Sequence, residues 1–404
     1  MKRFGCILML LAFAVPAWPA AKKVTAQDLK DMMTTMQQAK KSDEDVALQL
    51  KQVDVTEELT PSAMNGLLAI SAGKLTTEQL YILEARSAVL PPPPAYLPPT
   101  PAPDAATQKA MLDKAADYVG KNYEQLPHLT ASRVSARFQD GVEAMQTSTS
   151  SRAGLGTNTD PLWEQTSLYT RLMGVHSDTV ESENGIEKVS TAKDKTQWGQ
   201  NGQIVSVSPG PVLNTVMQEA TAAGTISWLR WEAVNGHVFA VFSFTVDKKK
   251  THYAVNYCCF PDTDTAGEVR FSPHAGGGGA APASTSPTAK GTMQTVSSWK
   301  PFKASTQGYH GEFFIDPTTG TVIRMVVQAD FKTSDFVHHE DTRVDYAPLP
   351  VGGKTMVVPV REFVIAEVVP NGDSFAARVS LRHNLYTADY KDYQIAGSAT
   401  TAQK

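Results

Sequence analysis

Up to about residue 125 the apolar positions recur at helical spacing, and beyond it they alternate. Leu29, Met32, Met33 and Met36 fall at i, i+3, i+4 and i+7 on one face. Thr60 is an N-cap followed by Pro61 at the first helical position, with Met64, Leu67 and Leu68 behind it. Thr76 with Gln79 has the form of a capping box ahead of Leu80 and Leu83. Three or four short helices are expected over residues 22–90. Residues 91–104 hold the run PPPPAYLPPTPAP, which cannot form a helix or a central strand and is expected as a semi-rigid polyproline II spacer. Asp104 then caps a helix to about Tyr123, with Met111, Leu112, Ala115, Tyr118 and Val119 on one side, and Leu126-Pro127 ends it.

After this helix the period becomes two. Val134, Ala136 and Phe138 alternate with Arg133, Ser135 and Arg137. Residues 141–163 read as a loop, 168–175 and 186–189 as weaker strands, and 211–223 as a short helix. Strong strands are expected over 226–233 and 238–246, with Asp247 to Lys250 as a polar hairpin turn and 252–260 as the return strand. Residues 273–291 are low-complexity and cannot bury a core. The clearest hairpin signal is the turn Asp316-Pro317-Thr318-Thr319-Gly320 between apolar runs. Further strands fit 336–346, 355–368 and 374–386, with 394–404 expected as a disordered tail. Local hairpins without βαβ alternation predict an α+β protein: short N-terminal helices and a Pro-rich spacer, then a curved antiparallel β-sheet, half-barrel-like, with one or two packed helices. The β-domain is expected over 105–393.

Composition narrows the function. Of 404 residues, 42% are hydrophobic and 19% charged, the net charge is −4, and there are three cysteines. This balance excludes collagen, whole-chain disorder and a disulfide-dense mini-protein. A pI near 6.2 argues against a nucleic-acid partner. Residues 1–21 have the layout of a signal peptide: Lys2 and Arg3, an apolar run from Phe4 to Val15, then small residues. The run is short for a membrane span, so no transmembrane segment is expected after cleavage, and the chain is expected to be exported, periplasmic or secreted. Cleavage after Ala17 places Val15 and Ala17 where small side chains are accepted, whereas cleavage after Ala20 places Trp18 there. Cys258 and Cys259 are then the remaining cysteines. Adjacent strand residues face opposite ways, so the pair reads either as two small strand hydrophobes or as a strained vicinal disulfide.

Chemistry is sparse. There is no G-x-S-x-G elbow and no P-loop, and Gly276 to Gly279 lacks a strand–loop–helix setting. Asp262 begins like a calcium loop, but Ala266 occupies a ligand position and Pro273 stands where a bidentate Glu belongs. His338, His339, Glu340 and Asp341 collect metal-ligand types, and His310 or His383 from other strands are possible third ligands; a polar strand is the plainer reading. No catalytic residue and no cofactor is expected. What stands out is ring content on strands: Trp228, Trp231, Phe242, Phe244, Tyr253, Tyr257 and Phe313. A sheet apolar on both faces is covered on both or lines a cavity. The first case makes these residues ordinary core, and the second makes them the wall of an apolar-ligand site.

Several stretches resemble a family of secreted envelope proteins of soil bacteria to which no function is assigned. They are Leu59-Thr60, the Pro-rich run, Asp117-Tyr118-Val119 with Leu126-Pro127, Ala131-Ser132-Arg133, Trp228 with Trp231-Glu232, and Cys258-Cys259. Gly308-Tyr309-His310-Gly311, Ile315-Asp316-Pro317, Gln328-Ala329-Asp330, Asp345-Tyr346, and Gly352-Gly353-Lys354 with Pro359-Val360-Arg361 complete the set. The resemblance implies export and this domain order and brings no catalytic residues. The C-terminal part, from Ile315 to Arg324 with the Asp345 and Pro359 strands, is similar to the lipoprotein-carrier group, which implies a curved sheet holding acyl chains over helices. The expected function is a non-catalytic envelope protein whose β-domain binds an apolar ligand, a lipid or a lipidated protein. The alternatives are a structural or interaction module reaching an envelope partner through the helical region and spacer, and an uncharacterised hydrolase.

Overall fold

The computed structural model describes residues 21–124, 126–142, 168–183, 186–188, 213–255, 305–332, 337–368 and 382–396. Residues 1–20 of the expected export signal, Tyr257, Cys258, Cys259 and the low-complexity stretch 273–291 lie outside them.

Four helices precede the Pro-rich run: α1 (Ala26–Gln38), α2 (Asp43–Leu50), α3 (Pro61–Ala69) and α4 (Lys74–Ser87). Short parallel strands β1 (Lys22–Val24) and β2 (Val53–Val55) tie the start of this region to its middle. Each helix start has a visible cause. Thr25 and Asp28 form a reciprocal capping box on α1, Ser42 caps α2, and Thr60 caps α3 ahead of Pro61. The expected box at Thr76 does not form. Helix α4 begins earlier, after Gly73, and its cap comes from another helix: Asp43 accepts hydrogen bonds from the Leu75 and Thr76 amides at 2.9 and 2.8 Å and from the Thr76 hydroxyl at 2.6 Å. Leu29, Met33, Leu50, Leu67, Leu80 and Leu83 close the core of this region.

Helix α5 (Ala105–Glu124), capped by Asp104, leads into the sheet, and α6 (Leu213–Ala222) interrupts it. The strands are β3 (Leu129–Val142), β4 (Leu168–Glu183), β5 (Ile186–Lys188), β6 (Thr225–Val234), β7 (His237–Val246), β10 (Tyr309–Ile315), β11 (Val322–Ala329), β12 (Val337–Val351), β13 (Lys354–Val368) and β14 (Arg382–Ile395). Strands β8 (Ala254–Val255) and β9 (Ser305–Thr306) pair only with each other. The ten-stranded sheet has the order β5-β4-β3-β14-β13-β12-β11-β10-β7-β6, is antiparallel throughout and does not close. The expected α+β class and curved sheet with packed helices are therefore present.

Three details depart from the expected pattern. The segment after Lys250 does not return along β7, which is flanked by β6 and β10; it gives the short β8 instead. Strand β14 runs past the expected frayed end, with Gln394 opposite Thr130 and Ile395 opposite Leu129. The Pro-rich segment is not a free spacer. It leaves the α4 side, makes a single 3-10 turn at Pro94–Tyr96, passes the β6 edge and enters α5 on the opposite face of the sheet. The Glu58 amide donates to the Pro91 carbonyl at 2.8 Å, Tyr96 and Thr60 hydroxyls meet at 3.2 Å, and the Trp231 indole donates to the Pro101 carbonyl at 3.0 Å. Among the described residues no helix is long and apolar enough to cross a membrane.

Candidate functional site

The two faces of the sheet have different covers and different chemistry. On one face α5 and α6 lie over β7, β10, β11 and β12. Phe242 and Phe244 of β7, Tyr309 and Phe313 of β10 and Met325 of β11 pack there against Val119 of α5 and Val216, Met217 and Ala220 of α6. Phe244 stacks on Phe313 at 4.3 Å, and Trp228 meets Trp231 and Phe242 edge-on at 4.8 and 5.4 Å. Trp228 and Trp231 are three apart and would point to opposite faces of a regular strand. A bulge between Trp228 and Arg230 puts both on the α6 face, opposite Phe242 and Ala240. Tyr253 joins this cluster edge-on to Tyr309 at 5.4 Å. Of the ring residues read as a ligand wall, six are thus brought together, and Tyr257 is outside the described residues. Phe242, Phe244 and Phe313 are fully buried under the helices, so they serve as core in this arrangement, with Trp228, Trp231 and Tyr253 at its partly exposed margin.

At one end of this face Glu219 of α6 gathers donors. It accepts from the Tyr309 hydroxyl at 2.6 Å, the His252 amide at 2.7 Å and the His252 ring at 2.9 Å. Burial pushes the Glu219 carboxyl up, but these bonds and one from Thr251 outweigh it and hold it below its ordinary value. Burial, and then the Glu219 carboxylate, drive the Tyr309 hydroxyl far up, so it stays protonated and donates. Glu219 thereby fixes the loop after β7 onto α6.

The other face is covered by the N-terminal helical region, and its chemistry is ionic. Phe138, Phe363, Ile365 and Leu385 receive Ile82 and Ala85 of α4 and Ala88 at its C-terminal cap. Beside them runs a ladder set by strand register: Arg324 of β11 opposite Asp345 of β12, Asp345 opposite Arg361 of β13, and Arg361 opposite Asp389 of β14. The helical region supplies the missing carboxylates. Glu58 accepts from Arg343 at 2.7 Å and Arg324 at 3.2 Å, and Glu84 of α4 takes Arg361 through both oxygens at 2.8 and 2.9 Å. Arg343 also donates to the Ala88 carbonyl at 3.0 Å. Arg361 and Arg343 lie over the Phe363 ring at 4.7 and 5.4 Å, and Arg324 over Phe314 at 5.1 Å. Farther along, Arg230 bridges Glu232 and Glu312. Burial opposes the charge on Asp345, yet Arg324 and Arg343 win and hold its carboxyl far below the usual range. Glu84 goes the other way, because burial outweighs Arg361 and raises it.

The histidines separate. His338 and His339 are adjacent on β12, at an irregularity of the β12–β13 register between Val337 and His339. His310 pairs with Asp330 at 2.8 Å. His339 meets Asp341 at 2.5 Å, an ion pair that raises the imidazole against the effect of burial. His383 meets Glu367 at 3.1 Å. Among the described residues no three His, Cys, Asp or Glu side chains surround a common metal position.

No protein-family model, curated protein or solved structure matches this chain.

The geometry therefore stands alone. Sequence reasoning found the ring cluster because alternation and ring content are local properties. It missed the arginine–carboxylate network. The available signal was the spacing of Arg324, Arg343, Asp345 and Arg361 inside apolar runs, where a charge must find a partner; their partners Glu58 and Glu84 lie more than two hundred residues away.

Proposed function

We propose that this chain is a non-catalytic exported envelope protein whose antiparallel sheet holds an apolar ligand, such as an acyl chain or a lipidated partner, beneath α5 and α6. The observation that carries the reading is the ring cluster of Trp228, Trp231, Phe242, Phe244, Phe313 and Tyr253 gathered on one open-sheet face under two helices. In the closed arrangement α6 occupies that face, so a ligand enters by lifting α6 and replacing its apolar side chains with its own. Trp228, Trp231 and Tyr253 at the margin are where an incoming chain first meets rings. The expected export signal at residues 1–21 and the likeness to secreted envelope proteins and lipoprotein carriers support the compartment and the ligand class. The test is native mass spectrometry and solvent extraction of the chain purified from an expressing cell envelope, followed by titration with a fluorescent fatty acid. A retained or saturably bound acyl chain, weakened by Trp228→Ala, is expected; no extracted lipid and no saturable binding overturns the reading.

A second reading is a protein-interaction surface on the helical region, favoured by the exposed Leu48 of α2 and Leu75 and Tyr81 of α4. That version does not use the Pro-rich run to reach outward, because the run is bonded to β6. Loss of a co-purifying envelope protein in the Leu75→Ser, Tyr81→Ser double variant is the outcome that supports it.

A further inference from the structure

Helix α6 carries a carboxylate on its buried face. Glu219 is 8% exposed and is three and one residues from Val216 and Ala220, which are buried among the rings. A charge among apolar positions costs stability unless it is well bonded. Its donors come from outside α6: the Tyr309 hydroxyl of β10 at 2.6 Å, the His252 amide at 2.7 Å, the His252 ring at 2.9 Å and the Thr251 hydroxyl. On the same loop the Lys250 ammonium donates to the Ala223 carbonyl, just beyond α6, at 2.8 Å. Tyr309 belongs to both groups. Its ring meets Phe244 edge-on at 6.0 Å, while its hydroxyl donates to Glu219. The donor group therefore begins where the ring cluster ends.

We propose that these donors form the head-group site of a single-chain carboxylic acid, and that α6 is the placeholder that fills it. The inference rests on the apolar-ligand reading above and narrows it to an amphiphile of the fatty-acid class. Helix α6 presents to the sheet a carboxylate beside a row of apolar side chains, Leu213, Val216, Met217 and Ala220. A long-chain acid presents the same two chemistries joined in the same way. When α6 lifts, the rings lose their apolar cover, and Tyr309, Thr251 and His252 lose their acceptor in the same movement. An uncharged chain restores only the cover and leaves the Tyr309 hydroxyl, on a fully buried residue, without an acceptor, which is costly. A carboxylate at the end of the chain restores both. Lys250, released from the Ala223 carbonyl, adds a positive charge to the site. The His252 side chain is 91% exposed, so the donor group opens to solvent, where the polar end of the ligand rests and its tail runs under the helices.

The experiment titrates the full chain at neutral pH with lauric acid and, in parallel, with 1-dodecanol, which has the same chain length and no charge, and follows tryptophan fluorescence. The parent is expected to bind the acid at least about tenfold tighter than the alcohol. Glu219→Ala removes the competing carboxylate, so the acid is expected to bind at least about tenfold tighter than to the parent, with a smaller change for the alcohol. Tyr309→Phe is expected to cut the advantage of the acid over the alcohol about tenfold. Lys248→Ala, on the same loop but outside the donor group, is expected to keep the parent ratio. Glu219→Gln keeps the side-chain shape and one acceptor oxygen; it repeats the test where the alanine chain fails to fold, with a shift of the same sign and smaller size. Circular dichroism of each variant separates lost binding from lost fold. Equal affinity of the parent for acid and alcohol overturns the head-group site and leaves the apolar-ligand reading standing, whereas binding of neither overturns both. Acid affinity unchanged in both folded Glu219 variants overturns the placeholder.

Discussion

Gly311 shows how tightly single residues are held. A Cβ built on it would lie 1.9 Å from the Val326 carbonyl oxygen and 2.7 Å from the Phe244 ring, so β10 and β11 can approach only because that atom is missing. Gly311→Ala is expected to destabilise the fold by at least about 2 kcal/mol in urea unfolding. The side chain of Arg343 is almost wholly buried and meets Glu58, Asp345 and the Ala88 carbonyl. Replacing it with Leu leaves Glu58 with only the longer Arg324 bond. The expected loss is about 3–5 kcal/mol, and Glu58→Gln in the Arg343→Leu background should cost less than either change alone predicts, which a double-mutant cycle would read. At this scale the sequence was informative about identity but not about partnership. Asn235 and Gly236, with φ of 50° and 81°, make the β6–β7 turn in a form that Asn-Gly announces. Nothing local to Arg343 announces Glu58.

At the scale of elements, the legible starts were those whose cap lies in the same few residues: Thr60 before Pro61, and Asp104 before α5. Helix α4 was misplaced by three residues because its cap, Asp43, belongs to α2. The same helix carries a pH signature. Burial raises Glu84 above its ordinary 4.5. A raised folded-state value means that the folded chain holds the extra proton, so this contribution is full below 4.5 and fades as pH rises through the raised value. Asp345 acts oppositely: its value is depressed, so its contribution is present above its ordinary 3.8 and is lost as pH falls below it. Mild acidification from neutrality toward 4.5 is thus expected to favour the seat of α4 through Glu84, and stronger acid to undo the ladder through Asp345. Glu84→Gln should flatten the first limb and leave the second, as measured by urea midpoints across that range. The bulge in β6 belongs here too. Trp228 and Trp231 read as opposite-facing from their spacing, and only an inserted Leu229 brings them together.

The whole molecule departs most from the linear pattern. The sequence reads as a helical region, a spacer and a β-domain, as if they were separable. The structure joins them through a buried ionic seam and a Pro-rich strap bonded to the β6 edge. The physical reason is that a sheet with apolar strands on both faces needs two covers, and α5 with α6 can supply only one. The N-terminal helices are the second. Unfolding followed by the fluorescence of the chain's tryptophans, Trp228 and Trp231 of β6 among the six, is therefore expected to coincide with unfolding followed by far-ultraviolet dichroism, which reports the helices as well as the sheet. Two separated transitions would show that the seam is weaker than its geometry implies.

Strand β14 sits between β3 and β13, so the strand that follows all the other described ones along the chain is an interior plank. The β3 edge of the β3–β5 group has to wait unpaired until β14 arrives. A protein wired this way cannot be assembled progressively from its front end. The two halves can be zipped only once β14 is present, and a stop codon ahead of residue 382 would leave two unsealed edges, on β3 and β13, instead of one shortened tail.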